Sequence, residues 1–126
     1  MIRGIRGATT VKQNNGNEMI EATEELLREL IRTNHLKAVD VASVIMTVTE
    51  DINAEFPAKA LRKVEGWNYV PVMCMKEIPV PNSLQKCIRV MMTVNTEIEQ
   101  EKIQHVFLED AVHLRPDLAL TNKGKV

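Results

Sequence analysis

The hydrophobic residues of this chain change period along its length, and the order of those changes restricts the fold to a few architectures. Residues 2–11, IRGIRGATTV, are short, β-branched and broken by glycine, which predicts a strand whose backbone comes close to a neighbour at Gly4 or Gly7. From Asn17 to about Thr33 the period is helical. Met19, Ile20, Thr23, Leu26, Leu27, Leu30 and Ile31 recur at helical spacing, while Glu18, Glu21, Glu24 and Glu25 suit the positive end of the helix dipole. Residues 41–49, VASVIMTVT, return to strand character. FPAKALRKVEG follows, with Pro57 fitting a first helical turn and Gly66 a C-terminal stop, so a short second helix is expected. YVPVMCMKEI and KCIRVMMTV read as two further strands, with Trp67 and Tyr69 anchoring the start of the first. EIEQEKIQHVFLED then reads as a short helix running into an extended piece at His105 to Leu108.

No repeat or linker interrupts this order, which predicts one α+β domain over residues 1–126: a mixed β-sheet packed with helices on one face. The tail from about residue 116 is expected to be mobile. Helices this few leave one sheet face uncovered, and with aromatics at 3% the face needs another cover, most simply other subunits of a closed cyclic oligomer. Sixteen basic residues against seventeen acidic ones give no electrostatic reason to expect nucleic acid or an anionic membrane as partner. The opening MIRGIRG lacks the apolar core of a signal peptide and no run is long enough to span a bilayer, so a cytoplasmic location is expected.

The chemistry-bearing residues are mostly cations. KCIRVMMTV places Arg89 among apolar neighbours, and Arg6 interrupts the first strand in the same way. A guanidinium stays charged at any ordinary pH and is rarely buried without a partner, so such strands must supply an anion or keep an opening for one. Lys59 and Arg62 lie three apart on one face of the second helix, Arg115 precedes Pro116, and Glu77 is the acid nearest this set. Two guanidiniums in apolar strands suggest a pocket for a polyanionic small molecule, with an Arg89–Glu77 ion pair as the competing explanation. Cys74 and Cys87 lie on either side of a turn-like PVPNSLQ segment, where they could be neighbours across adjacent strands. With the scattered His35, His105 and His113 they do not make a metal site, and no metal or other cofactor is expected. Met73, Met75, Met91 and Met92 read as core residues. No Ser-His-Asp set, phosphate-cradling glycine motif or paired-carboxylate motif is present, so covalent catalysis is not indicated.

The strings MIRGIRGATTV, FPAKALR, GW-YVPV-CM-E, KCIRVMMTV and LRPDL, in this order over nearly the whole chain, resemble the AroH class of chorismate mutases, the trimeric α/β type. The resemblance implies a homotrimeric pseudo-α/β-barrel of ferredoxin-like units that converts chorismate to prephenate, the branch step toward phenylalanine and tyrosine, with no cofactor and no covalent intermediate. It further implies that Arg89 addresses the ether oxygen and a carboxylate, that Arg6 binds a carboxylate, and that Glu77 with Cys74 contacts the ring hydroxyl. Phe56, Ala58, Lys59, Arg62, Val72, Met73, Phe107, Leu114 and Arg115 would line or gate a cleft between adjacent subunits. Phe107 stands where the family usually has tyrosine, and Met73 where threonine is common. A non-catalytic dicarboxylate-binding regulatory trimer and an imine-hydrolysing enzyme of similar trimeric shape are the alternatives. Glu77 with Cys74 separates them, because a simple carboxylate receptor needs no acceptor opposite its arginines.

Overall fold

The structure is a computed structural model in which residues 1–115 are described; the tail expected from about 116 lies outside them. A five-stranded mixed sheet is built from β1 (Ile2–Thr10), β2 (Val41–Val48), β3 (Val72–Lys76), β4 (Cys87–Asn95) and β5 (Val106–Phe107). Their order across the sheet is β3-β2-β4-β1-β5. The central strand β4 runs antiparallel to both β1 and β2, while the edge strands β3 and β5 are parallel to their neighbours.

One long helix, α1 (Gly16–Asn34), covers one face of this sheet. Its start is held by Asn15, whose side chain accepts from the Glu18 N–H, while the Glu18 carboxylate reaches back to the Lys12 and Gln13 N–H groups. It ends at His35 in the left-handed conformation, where the Leu36 N–H closes on the Ile31 carbonyl. Leu26, Leu27 and Leu30 pack on Ile5, Val44, Met46, Val90, Met92 and Val94. Burying each leucine contributes roughly 1.5–3 kcal/mol. The short second helix expected here is Pro57–Lys63, a 3₁₀ helix. It sends Ala60 and Leu61 into the same core, which Val64 and Trp67 extend.

Several expectations change once tertiary contacts are present. The helix expected from residue 97 shrinks to a 3₁₀ turn at Gln100–Lys102, and an unforeseen one follows at Glu109–His113. The third strand keeps only the five residues Val72–Lys76 of the ten in YVPVMCMKEI. Trp67 is buried, whereas Tyr69 is 99% exposed and anchors nothing in the described chain. Of the four methionines read as core, only Met92 is buried; Met73, Met75 and Met91 are exposed on the sheet face opposite α1. Cys74 and Cys87 are both free, and β2 runs between their strands.

Gly7 lies close against α1. A Cβ there would lie 2.9 Å from the Val106 carbonyl oxygen and 2.9 Å from Leu26 Cδ1, whereas at Gly4 it would meet only Met91 Sδ at 3.4 Å. The carbonyl belongs to the β1–β5 pairing and cannot turn aside as a side chain does. Gly7→Ala should therefore destabilise the fold by about 1–3 kcal/mol, read as a lower denaturation midpoint at unchanged m-value, while Gly4→Ala should stay near the parent. Equal midpoints for the two variants would contradict this packing.

Candidate active site

Strand alternation decides which side chains meet on the face that α1 leaves open. Residues at even spacing share a face, and β4 alternates Ile88, Val90, Met92 and Val94 into the core with Arg89, Met91 and Thr93 on the other side. Arg89 is thus not enclosed by its strand neighbours. It projects from the face that its strand turns to the outside, and its side chain is 48% exposed. In the β1–β4 register Arg6 lies opposite Met91 and Ala8 opposite Arg89, while on the other side Thr47 of β2 lies opposite Arg89. Arg6 and Arg89 are therefore diagonal neighbours, a spacing of about 7–8 Å between backbones. The small side chain of Ala8 leaves room between them.

The resulting cavity, about 280 Å³, is bounded by Arg6, Thr47, Glu77, Arg89, Phe107, Leu114 and Arg115, with Ile45 and Met91 as its apolar floor. Glu77 accepts from Thr47 Oγ1 at 2.8 Å and pairs with Arg89 Nε at 3.4 Å through the same oxygen, Oε2. The competing explanation of Arg89 is thus present in the structure. At this exposure, however, such a pair contributes at most about 1 kcal/mol and does not account for a guanidinium in a strand. Arg6 differs: its Nε is buried and makes no hydrogen bond among the described residues. A buried, unsatisfied guanidinium nitrogen is costly and marks a place where an acceptor belongs.

Six of the expected site residues, Arg6, Glu77, Arg89, Phe107, Leu114 and Arg115, meet in this one cavity. The others lie elsewhere in the chain. Phe56 and Cys74 line a second hollow of about 360 Å³, together with Glu55, Met75 and Lys76. Lys59 is paired with Glu55 at 2.9 Å, and Arg62 is exposed. Val72, Ala58 and Cys74 pack against the main core, while Met73 is 63% exposed on the open face. A single chain therefore does not bring Cys74 to Glu77. Burial pushes the Cys87 thiol up despite the nearby Arg89, which leaves it as a small hydrophobe.

Sequence reasoning missed Thr47, Ala8 and His105. Thr47 has no signal beyond its place in a β-branched strand, and its role follows from pairing with a strand some forty residues away. His105, half-buried, accepts the Arg6 N–H at its Nδ1, 3.1 Å away. No helix among the described residues is long and apolar enough to cross a membrane, and none of their His, Cys, Asp and Glu side chains cluster as three or more metal ligands.

Residues 2–118 match the family described as chorismate mutase type I. The chain is 54% identical over 126 residues to chorismate mutase AroH of Bacillus subtilis, covering 100% of this chain and 99% of that protein. It is 44% identical over 119 residues to chorismate mutase AroH of Thermus thermophilus, covering 94% of this chain and 97% of that one. A solved chorismate mutase from Clostridium thermocellum superposes with a TM-score of 0.83 at 50% identity, covering 86% of this chain and 96% of the other.

Proposed function

The chain belongs to the chorismate mutase type I family and isomerises chorismate to prephenate, and from that premise we propose that the cavity between Arg6, Glu77 and Arg89 is where it does so. The proposal rests on the cavity's charge. Arg6 and Arg89 bring two guanidiniums to one cavity, which match a substrate with two carboxylates. The reaction is a [3,3] shift in which the ether C–O bond breaks as a C–C bond forms, with no proton moved in the step. Catalysis then consists of holding the compact conformer and stabilising negative charge that develops on the ether oxygen. Such a site needs fixed donors rather than an acid and a base.

Arg89 is assigned to the ether oxygen and one carboxylate, because its planar fork reaches two acceptors together. Arg6 is assigned to a carboxylate, the acceptor its buried Nε lacks. Glu77 keeps Oε1, engaged only by a 3.4 Å bond from the Ile78 N–H, for the ring hydroxyl. Phe107 closes the β5 side of the cavity without contributing a hydroxyl, and Leu114 and Arg115 flank its mouth.

A neighbouring copy completes the site in this proposal. Ile45, Met73, Met75 and Met91 form an exposed apolar band on the open face, and Phe56 is 66% exposed beside the hollow that holds Cys74. A homotrimer that buries this band would set the second hollow of one chain, with Phe56 and Cys74, against the cavity of the next, and Ala58, Lys59, Arg62, Val72 and Met73 are assigned to the same side of that cleft. Cys74 and Glu77 would then meet across the interface. Two free cysteines suit a reducing compartment, and a cytoplasmic location is part of the same proposal.

Sedimentation should give three chains per particle, and a fully active monomer would reject the shared site. Removing one preorganised oxyanion donor typically costs about a hundredfold to a thousandfold in turnover, so Arg89→Lys should lose at least that with little change in thermal unfolding. Near-parental turnover, or inactivity that only follows unfolding, would reject the assignment of Arg89.

A further inference from the structure

We propose that His105 is a positioning residue for Arg6: its neutral imidazole holds the β1 backbone at the point from which the Arg6 guanidinium enters the cavity. The inference rests on the assignment of Arg6 to a substrate carboxylate. The Arg6 N–H points away from β4 toward the sheet's short edge, where the parallel pairing with β5 begins only one residue later, at Gly7 opposite Val106. The backbone has no acceptor at this place. His105 Nδ1, 3.1 Å from the Arg6 nitrogen, supplies it from the residue that immediately precedes β5.

His105 is itself held in register. Asn34, buried at the end of α1, donates to the Gln104 carbonyl at 2.8 Å and accepts the Gln104 N–H at 2.9 Å, and it also donates to the Leu30 carbonyl at 3.0 Å. This fixes the backbone beside His105 to the helix. On the far side, the Leu108 N–H bonds to the Ala8 carbonyl at 2.9 Å. The imidazole is thus a cross-link between a segment pinned to α1 and the one strand residue whose guanidinium nitrogen is buried without a hydrogen bond among the described residues. Pairing with β4 holds only one side of β1 at this point; on the other side the Arg6 N–H donates its hydrogen bond to His105, and small errors in backbone placement matter to a bidentate contact made from this residue.

An acceptor Nδ1 is unprotonated, so the proton of the neutral ring sits on Nε2. Two charged groups act on the ring from the elements around it, Arg6 on β1 and Arg115 beyond the turn at Glu109–His113. Burial first, and then these two cations, hold the imidazole below its ordinary value of 6.5. The sign follows. The unfolded chain protonates His105 more readily than the folded one, so the contribution is complete above pH 6.5 and is lost as pH falls below it. Protonation would also replace the acceptor by a donor facing the Arg6 N–H.

The test compares His105→Leu, His105→Asn and Arg6→Ala with the parent in chorismate turnover from pH 5 to 8, with thermal unfolding of each. Asparagine is chosen because its Oδ1 can stand where Nδ1 stood and does not titrate. His105→Leu should lose about tenfold in kcat/KM, carried mainly by KM, as expected for one lost hydrogen bond at a positioned group. His105→Asn should recover most of that loss and should lack the part of the parent's acid decline that follows protonation of His105, because asparagine does not titrate. In the parent, 15N NMR near pH 7.5 should find Nδ1 unprotonated. Leucine and asparagine variants equally impaired in step with their unfolding would make the role structural and overturn the inference, as would an Nδ1–H tautomer. His105 variants with parental KM beside an impaired Arg6→Ala would overturn this inference alone. A parental KM for Arg6→Ala would overturn the assignment of Arg6 and the inference with it.

Discussion

The antiparallel register between β1 and β4 is the constraint on which the rest of the structure depends. It sets Ala8 opposite Arg89 and Arg6 opposite Met91, so two guanidiniums meet diagonally on one face with a small residue between them. A slip of one residue would turn Arg89 into the core and Val90 out of it, exchanging a buried apolar side chain for a buried charge. Core burial and the proposed substrate site are therefore specified by the same pairing. Leu26 and Leu30 of α1 press on Gly7 from the opposite face and keep that stretch of β1 tight against the helix.

The two faces of the sheet have opposite chemistry. Toward α1, Ile5, Val90 and Met92 pack with leucines at close to full burial. On the other face, Arg89, Glu77 and Thr47 stand among exposed methionines and Ile45. A pericyclic reaction at the proposed site would explain the polar part: it requires donors fixed around a developing charge, and strands hold donors more rigidly than loops. A neighbouring copy would explain the apolar part and would exclude water from Arg89, strengthening its interaction with the ether oxygen.

Much of this was legible in the residues. The helix, read from Asn17 to about Thr33 and found at Gly16–Asn34, and strands β1, β2 and β4 follow from their periods, because these patterns are long and unambiguous. Pro57–Lys63 was read correctly as helical, but pattern alone does not separate a 3₁₀ from an α-helix over seven residues. Met91 and Met73 were taken for core because a continuous apolar run hides its alternation; only sheet order shows that half of such a run faces outward. The same omission made Arg89 look buried. Cys74 and Glu77, three apart in sequence, fall on opposite faces of β3 and its continuation, so the joint role proposed for them would depend on a second chain. His105 left no signal because its partner is a backbone amide 99 residues away.

The central claim is that Arg89 stabilises the transition state rather than merely binding the substrate. It is tested most directly by the affinity of a bicyclic ether dicarboxylate that mimics the compact, bridged transition state, measured for the parent and for Arg89→Lys beside kcat/KM for chorismate. If Arg89 acts on developing charge, the two quantities fall together, by about a hundredfold or more. A mimic that binds both proteins equally well while kcat/KM collapses would contradict the account.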